Sequence, residues 1–488
     1  MMAAPIESLL NEICESEDPI EELKSLRTAV LATPVSGLRQ AVSGARLEII
    51  FGLLNTNDKE QIEVCVEILS RVLQALEPIQ LAQNYKTALQ SGLNHPNDSV
   101  RLLTLTQMGR VAGHADGVTQ MLNSSEILRD VIQCISVERI AVAKEAIAAL
   151  SKLSNTKAGL DALFRSDLLN KLKDVMLTND IIRYRVYELI VEVSTVSPVS
   201  LGYCANSGLI SQMLEELTGD DVLVRATAIE MVTSLAQSQH GRQYLAQQGI
   251  IDKISNMIIA AESDPFSSLY LPGLVKFFGS LAIMDSPQQV CEKYPVFLEV
   301  VFSMAINLDP TLTPVALDTL GVLGRTVEGK QVLQKTGEKF TSVLKRMSKV
   351  AADGATELRV RCLEALAQLL TLPVSVSSNN ALCVCVDLFK CVFQLFCPLF
   401  CVQAIGCQSW AQQLMMDTPG FVEWVMDRSV GTGKEAKDCK FELVGALLSS
   451  SSIQEIFGAH NYLKLKTYLN EGPYYVNAVS SVTTEGAD

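Results

Sequence analysis

Residues 219–236 read GDDVLVRATAIEMVTSLA, and this stretch recurs along the chain in altered form. It is found earlier as NDIIRYRVYELIVEVS at 179–194 and later as ATELRVRCLEALAQLL at 355–370. Each copy has an acidic residue near its start, an arginine soon after it and then an apolar-rich run. The copies indicate a repetitive chain, so its length of 488 residues does not by itself imply several separate cores.

The acidic residue that opens each copy recurs at a nearly constant interval. Nine such residues follow one another at spacings of 40, 40, 40, 42, 41, 43, 45 and 48: Asp18, Asp58, Asp98, Glu138, Asp180, Asp221, Asp264, Asp309 and Glu357. Armadillo and HEAT repeats have periods of roughly 40 to 47 residues. The period therefore predicts an all-α fold, a right-handed armadillo/HEAT-like α-solenoid whose repeats stack into a superhelix.

Within one copy the apolar residues have helical spacing. Ile182, Val186, Leu189 and Val193 lie at i, i+4, i+7 and i+11, which is the spacing of one helix face. A second apolar stripe at 190–191 predicts that this helix is covered on two sides, as the inner helix of a stacked repeat would be.

The segments between the copies are also regular. A short helix, a glycine break, a second helix and a polar turn precede the long third helix, which is the armadillo order. Gly208 and Gly249 lie at the break, where we expect a sharp turn that a Cβ atom would obstruct. One residue of Asn179–Asp180 and one of Asp220–Asp221 are predicted to cap the third helix.

Three arginines recur at the same place in their copies: Arg185, Arg225 and Arg361. They could clamp a ligand, or they could form a ladder of Asp–Arg pairs that holds neighbouring repeats in register. Paired hydrogen bonds between guanidinium and carboxylate groups suit a repeated interface, and this favours the ladder.

The composition disfavours nucleic-acid and membrane binding. Lys and Arg number 40 against 54 Asp and Glu, a net charge of -14, and we find no basic stripe. The longest apolar stretch, 388–405, contains Lys390 and Pro398 and falls short of the about 20 apolar residues of a spanning helix. The acidic start MMAAPIESLLNEICESEDPIEEL lacks the features of a secretory signal. We therefore expect a cytoplasmic protein that could also be nuclear, with its thirteen cysteines largely reduced packing residues.

Local catalytic motifs are missing from the sequence. HExxH, paired CxxC and GxSxG do not occur, and the four histidines are far apart: His95, His114, His240 and His460. GTGK at 431–434 resembles a phosphate loop, but Glu435 replaces the required Ser or Thr and Arg428 replaces the first Gly. We predict no enzyme activity, no catalytic residue and no cofactor.

The segment LCVCVDLFKCVFQLFCPLFCVQAIGC at 382–407 holds six of the thirteen cysteines. Its spacings match no zinc pattern, and its Phe, Leu and Val residues favour a divergent or mis-spliced repeat. A metal site and cysteine lipidation stay open as weaker alternatives. We divide the chain into repeats over 1–372, about eight to nine units, this atypical segment at 373–408, C-terminal helical repeats or a cap at 409–472, and a flexible tail at 473–488.

A solenoid without catalytic motifs is expected to hold another protein along the surface formed by its third helices. Import receptors of this type carry a ladder of Trp and Asn there, whereas this chain has small residues such as Ser234 and Ser280. Its two tryptophans, Trp410 and Trp424, lie near the C-terminal end. This argues against import of basic peptides and leaves a generic armadillo adaptor as one interpretation.

Several stretches closely resemble the non-ATPase regulatory subunit five family of the proteasome. They are NDIIRYRVYELIVEVS, GRQYLAQQGIIDKISNMI at 241–258, DPFSSLYLPGLVKFFGSLAIMDSPQQVCEKYP at 264–295 and LNEGPYYV at 469–476. The resemblance covers about 1–372 and 409–488 and departs from the family between Val374 and Gln408. It implies a non-enzymatic chaperone for assembly of the regulatory-particle base. Such a chaperone grips the C-terminal domain of a ring ATPase, helps large non-ATPase scaffold subunits join and leaves before the holoenzyme is complete.

The resemblance does not identify the contact residues, so we selected them from helical geometry. Tyr and Arg dominate the binding energy of many interfaces. The candidates are polar and aromatic residues of the middle copies: Arg183, Tyr184, Tyr187, Glu230, Tyr270, Lys276 and Phe277. Buried packing is the alternative for Tyr184 and Phe277, and a solvated helix face is the alternative for Glu230. We expect a monomer.

Overall fold

The computed structural model describes residues 4–42, 47–307, 309–371, 405–429 and 434–475, and every regular element in these ranges is a helix. The prediction of an all-α solenoid is confirmed. By its contacts the chain divides into two compact units, residues 1–248 and 249–488, and the predicted extent of the repeats, 1–372, stays a prediction. The atypical segment lies outside the described residues except for 405–408, and so does the tail from 476 onward; the divisions predicted there stay predictions.

The first unit contains eighteen α-helices in its described residues. They are α1 Ala4–Glu15, α2 Ile20–Ala32, α3 Val35–Val42, α4 Glu48–Gly52, α5 Lys59–Ala75, α6 Pro78–Asn84, α7 Lys86–Leu93, α8 Asp98–Ala112, α9 Ala115–Leu122, α10 Ser125–Cys134, α11 Ile140–Leu153, α12 Lys157–Arg165, α13 Leu168–Met176, α14 Asp180–Val196, α15 Pro198–Asn206, α16 Leu209–Glu215, α17 Val222–Leu235 and α18 Gln239–Gln247. A 3-10 turn, Glu216–Thr218, joins α16 to α17.

These helices form the three rows expected of armadillo repeats. The third helices α5, α8, α11, α14 and α17 each contact the next, as do the first helices α6, α9, α12, α15 and α18. Among the second helices, α7 contacts α10 and α10 contacts α13. Because each repeat buries its apolar faces against the next, the core is continuous along the stack.

The second unit contains twelve α-helices in its described residues. They are α19 Ile250–Ala260, α20 Leu271–Met284, α21 Pro287–Lys293, α22 Pro295–Ile306, α23 Thr313–Gly324, α24 Val327–Lys335, α25 Glu338–Asp353, α26 Thr356–Leu370, α27 Ser409–Asp417, α28 Phe421–Met426, α29 Lys434–Leu448 and α30 Ile453–Glu471. The same rows recur, with α20 on α23 and α23 on α26, and with α19 on α22 and α22 on α25. At the C-terminal end, α27, α28 and α29 all contact α30.

The third helix α14 is covered on two sides, as predicted. Ile182, Val186, Leu189 and Val193 are all buried. The second stripe, 190–191, is buried as well. An inner helix of this kind is stabilised by apolar burial on both sides, at roughly 1.5–3 kcal/mol for each fully buried large side chain.

Two predicted caps of third helices are confirmed. Asn179 Oδ1 accepts a hydrogen bond from the Ile182 amide at 2.9 Å, and Asp221 Oδ1 accepts from the Leu223 amide at 2.8 Å. The acidic residues that open the copies do not always act as caps, because Arg139 and Ala355 precede α11 and α26 without a side-chain cap. These acidic residues therefore mark the turn more reliably than they cap the helix.

Gly208 and Gly249 lie at the break between the first and second helices, as predicted. Their φ angles are +83° and +69°, in the left-handed region that favours glycine. The expected obstruction is not seen, because a Cβ at either residue would meet nothing within 4 Å. The backbone angle, and not crowding, is what these two turns require.

A second glycine pattern, which we had not predicted, marks the start of the first helices. A Ser or Thr caps the amide of a glycine three residues later in three repeats: Thr156 with Gly159, Ser238 with Gly241 and Thr326 with Gly329. A Cβ on Gly241 would lie 2.0 Å from the carbonyl oxygen of Leu235, at the end of the preceding third helix. Glycine at this place therefore lets the first helix pack directly against the end of the third.

The predicted Asp–Arg ladder is found at only some of its sites. Arg361 pairs with Asp318 of the preceding repeat at 2.7 Å. Arg185 instead donates to the backbone carbonyls of Ile135 and Val137, at 2.9 and 2.7 Å, and has no carboxylate partner in the described ranges. The free carbonyls at the end of a helix attract a cation as a carboxylate does, so both arrangements join neighbouring repeats.

Lys330 makes a deeply buried polar link between repeats. Its side chain is 1% exposed, and its Nζ donates to the carbonyls of Gln368 and Leu369, each at 2.7 Å, and to that of Gly324. One ammonium group thus ties α24 to the ends of α23 and α26. We use the name repeat joints for links of this kind between neighbouring repeats.

Candidate partner-binding face

The exposed side of the third helices in the middle of the first unit is the candidate functional site. On α14 the exposed residues Ile181, Glu188 and Glu192 lie at i, i+7 and i+11, and the exposed residues of α17 have the same spacing. We define the third-helix face by these residues and one from α11: Ile140, Ile181, Glu188, Glu192, Leu223, Glu230 and Ser234. Since α11 contacts α14 and α14 contacts α17, the face is continuous over three repeats.

Three large apolar side chains are exposed at the start of these helices, and we call them the apolar line of this face. Ile140, Ile181 and Leu223 are 61%, 66% and 68% exposed, and each lies in the first turn of its third helix. Neighbouring helix axes are about 8–10 Å apart, so the line extends over roughly 20 Å. Exposed apolar residues are ordinary when scattered singly, but Ile181 and Leu223 occupy equivalent positions in successive third helices, and Ile140 lies at the start of the neighbouring one. Such a recurring set is typical of an interaction surface.

Three carboxylates lie two to three helical turns further along the same helices. Glu188, Glu192 and Glu230 are exposed, and none of their carboxylates has an ion-pair partner within the described part of the chain. The face therefore combines a line of apolar side chains with uncompensated negative charge. A partner surface that carries apolar and basic residues would be complementary to it.

Three of the predicted contact residues form a cluster with Glu216. Glu216 Oε1 accepts from Arg183 Nε at 2.8 Å and from the Tyr187 hydroxyl at 2.9 Å. Tyr187 is fully buried, and this burial, with the hydrogen bond to Glu216, raises the pKa of its phenol. The guanidinium of Arg183 lies 5.3 Å from the centre of the Tyr184 ring. This cluster fastens α14 to the 3-10 turn before α17, so Tyr187 is a packing residue and its selection for partner contact is corrected.

The predictions at Tyr270 and Phe277 are corrected for the same reason. They are 2% and 1% exposed; the Tyr270 hydroxyl donates to Asp264 at 2.8 Å and the Phe277 ring packs edge-on against Phe278. Lys276 is exposed on α20 in the second unit. Among the candidates, Glu230 and Lys276 are exposed and Arg183 and Tyr184 are partly exposed; their role in partner contact stays a prediction.

Comparison with known proteins gives the chain a family. A family model described as proteasome non-ATPase 26S subunit matches residues 2–488. The chain belongs to this family. Proteins named 26S proteasome non-ATPase regulatory subunit 5 match over the full length of both chains, at 54% identity for Bos taurus and 53% for Homo sapiens. The protein of that name from Drosophila melanogaster is 25% identical and covers 87% of this chain and 86% of its own length.

Family membership gives the chain a proteasome-associated role. Sequence reasoning missed Ile140, Ile181, Leu223, Glu188 and Glu192. We had selected candidate contact residues largely by type, as Tyr and Arg. The third-helix face instead consists of exposed residues that lie between the buried positions of each helix. The usable signal was an apolar residue in the first turn of successive third helices, followed by a glutamate at i+7 in α14 and α17 and by a second glutamate at i+11 in α14.

The described residues show no cluster suited to a metal ion, and five of their cysteines are buried. No group of three or more His, Cys, Asp and Glu side chains among them could hold a metal ion. Five cysteines are buried and free, one each in different repeats: Cys65, Cys134, Cys204, Cys291 and Cys362. Burial raises the pKa of Cys65 to about 12 and that of Cys134 to about 11, so these thiols are protonated and unreactive near neutral pH.

No helix within the described ranges is both long and apolar enough to cross a membrane. The phosphate-loop resemblance at 431–434 and the metal or lipid alternatives for 382–404 concern residues outside those ranges, Lys434 excepted.

Proposed function

We propose that the protein is a chaperone for assembly of the proteasome regulatory-particle base. In this proposal the third-helix face binds the C-terminal domain of a ring ATPase subunit, and large non-ATPase scaffold subunits join the bound ATPase. The chaperone leaves before the holoenzyme is complete. Membership of the proteasome non-ATPase 26S subunit family supports the proteasome as the context.

The observation that carries the proposal is the line of Ile140, Ile181 and Leu223 beside the carboxylates of the same face. Apolar residues supply binding energy when they are buried against a partner. Unpaired carboxylates speed the encounter with a basic partner and disfavour an acidic one. A face of this composition fits a folded domain with an apolar patch and basic residues.

The mechanism needs occupancy and no catalysis. A bound ATPase domain is shielded from wrong neighbours, and it is released when the correct assembly competes for the same surface. We propose accordingly that the protein is not an enzyme, uses no cofactor, acts as a monomer and works in the cytoplasm and also in the nucleus.

Capture of proteasome subunits from cell extract by the tagged full chain tests this proposal. The unaltered chain should recover base ATPases and their scaffold subunits without the proteolytic core, as identified by mass spectrometry. The double variant Ile181→Glu/Leu223→Glu should lose at least nine-tenths of this recovery, because two charges would replace the apolar line.

The matched control places the same charges on exposed apolar residues of the other helix rows, as Val199→Glu/Ile259→Glu. This control should recover as much ATPase as the unaltered chain. Equal recovery by both double variants would exclude the third-helix face as the binding surface. Recovery of other proteins but no proteasome subunit by the unaltered chain would favour a generic armadillo adaptor instead.

A further inference from the structure

A cavity of about 670 Å³ lies at the C-terminal end of the second unit, between α30 and the segments around α28 and α29. We call it the C-terminal pocket. Its lining includes Met426, Arg428, Lys437, His460, Leu463, Lys464 and Tyr475. The volume is within the range of sites that bind a ligand or a peptide side chain, roughly 300–1,000 Å³.

The wall of the pocket around Arg428 is fixed by several contacts. The Arg428 guanidinium lies 4.3 Å from the centre of the Tyr468 ring and 5.0 Å from that of Tyr475. It also pairs with Glu471 at 2.9 Å. The neighbouring Tyr474 hydroxyl donates to Asp438 at 2.6 Å. These contacts hold the chain after α30 against α29, so the pocket is formed before any ligand binds.

The pocket carries positive charge that nothing described here neutralises. Glu471 is the one carboxylate among the described lining residues, and Arg428 already pairs with it. Lys464 and His460 are exposed and Lys437 is half-exposed, and no ion pair is formed by these three within the described ranges. In a chain of net charge -14, two unpaired lysines on one small cavity form a local site for a negatively charged group.

The pocket also exposes apolar surface beside the lysines. Leu463 is 61% exposed and Tyr475 is 43% exposed, and Met426 lies in the same lining. An inorganic anion would leave these side chains in water, whereas a peptide could bury them and pair its carboxylates with the lysines. Recognition of acidic motifs by clusters of basic side chains is a recurring mode of peptide binding.

We infer that the C-terminal pocket binds an acidic peptide segment of a partner protein that inserts an apolar side chain between Leu463 and Tyr475. The segment's carboxylates pair with Lys437 and Lys464. This site differs from the third-helix face in unit, in charge and in ligand, so it does not depend on the function proposed above. It would give the protein a second contact, with a partner region opposite in charge to the one that the third-helix face fits.

Fluorescence anisotropy with the full chain tests the inference. The probe is a labelled ten-residue peptide of glutamates around one central phenylalanine. Two comparison peptides replace that phenylalanine by serine or all the glutamates by glutamines. The glutamate–phenylalanine peptide should bind, the serine peptide should bind several-fold more weakly, and the glutamine peptide should show no binding.

The variant Lys437→Glu/Lys464→Glu should weaken binding of the glutamate–phenylalanine peptide at least tenfold. Its matched control is Lys434→Glu/Lys466→Glu, which makes the same charge change on exposed lysines of the same two helices outside the pocket. Leu463→Ser, a change at an exposed residue that leaves the charges intact, should weaken binding several-fold. Far-UV circular dichroism verifies that each variant is folded.

Equal affinity of the two charge variants would overturn the inference, because the attraction would then be general and not a property of the pocket. Binding of the glutamine peptide as tight as that of the glutamate–phenylalanine peptide would also overturn it. The apolar part of the inference is wrong if the serine peptide binds the unaltered chain, and Leu463→Ser binds the glutamate–phenylalanine peptide, without loss of affinity. If 10 mM inorganic phosphate, in excess over the peptide, displaces it fully at constant ionic strength, the site is one for small anions.

Discussion

The repeat joints and the third-helix face use the helices of a repeat in opposite ways. At the joints, side chains such as Lys330 are buried and engage a neighbouring repeat through three carbonyls. On the face, Ile181 and Glu188 are exposed and contact no neighbouring repeat through a polar bond within the described ranges. One period therefore produces both a set of residues that holds the stack together and a set left for a partner. Changes at the first should cost stability, and changes at the second should cost binding alone.

The largest effect on stability is expected at the joint around Lys330. Lys330→Met keeps the side-chain length but removes the donor from the carbonyls of Gly324, Gln368 and Leu369. Leaving buried acceptors unpaired should cost about 3 kcal/mol. Because stability in repeat proteins is local, hydrogen exchange should speed up in peptides from 313–370 while 59–112 stays unchanged. The control Lys335→Met, at an exposed residue of the same helix, should leave exchange as it was.

The next largest effect is expected where a first helix packs on the end of a third. Gly241→Ala brings a Cβ to 2.0 Å from the Leu235 carbonyl oxygen, and relieving that overlap should cost about 2 kcal/mol. The thermal unfolding midpoint should fall. Gly202→Ala is the control: its Cβ would meet nothing within 4 Å, so the helix should be unchanged or stabilised by up to about 1 kcal/mol. Equal midpoints for the two variants would show that these joints tolerate crowding.

A smaller effect is expected in the Glu216 cluster. Tyr187→Phe removes one hydrogen bond to a largely buried carboxylate and should cost about 1–2 kcal/mol. The hydroxyl of the neighbouring Tyr184 is buried and makes no hydrogen bond within the described part of the chain. Tyr184→Phe should therefore be neutral or slightly stabilising. Urea unfolding followed by circular dichroism separates the two; a larger loss for Tyr184→Phe would contradict the structural role given to Tyr187.

The smallest effect on stability is expected on the third-helix face itself. The triple variant Glu188→Gln/Glu192→Gln/Glu230→Gln should change the free energy of unfolding by no more than about 0.5 kcal/mol. Capture of ATPase subunits by the unaltered chain should fall between about 50 and 300 mM salt, because exposed charges are screened. The triple variant should show a much flatter salt dependence.

The control for this variant makes the same change in residues of the second-helix row and the turn after α19: Glu126→Gln, Glu215→Gln and Glu262→Gln. These glutamates are also exposed. The control should keep the salt dependence of the unaltered chain. If both triple variants respond to salt alike, the carboxylates of the third-helix face have no special part in the encounter.

The sequence predicted the repeat period, the third helices and the turns at Gly208 and Gly249. It also predicted the caps at Asn179 and Asp221, to within one residue. Each depends on residues close together in the chain, where helix spacing and backbone preferences decide the structure. The buried state of Tyr187 could not be predicted in this way. It depends on Glu216, 29 residues further on and in the next repeat.

The third-helix face was missed for a related reason. A helix with two apolar stripes leaves only a narrow exposed side, and which side that is depends on how the helix is rotated against both neighbours. Periodicity assigns Ile182 to a buried face but does not show that the adjacent apolar residue Ile181 is exposed. The same limit applies to Arg185, whose carbonyl partners lie 48 and 50 residues earlier in the chain.

Each of the five buried cysteines can report the local opening of the repeat in which it lies. Burial holds their thiols protonated, with pKa values of about 11 to 12, so an alkylating reagent can modify each of them only after its repeat has opened. Mass-spectrometric alkylation rates at Cys65, Cys134, Cys204, Cys291 and Cys362 would thus give a repeat-by-repeat stability profile of the unaltered chain. Measured with and without a bound ATPase domain, the profile would show which repeats the partner holds closed.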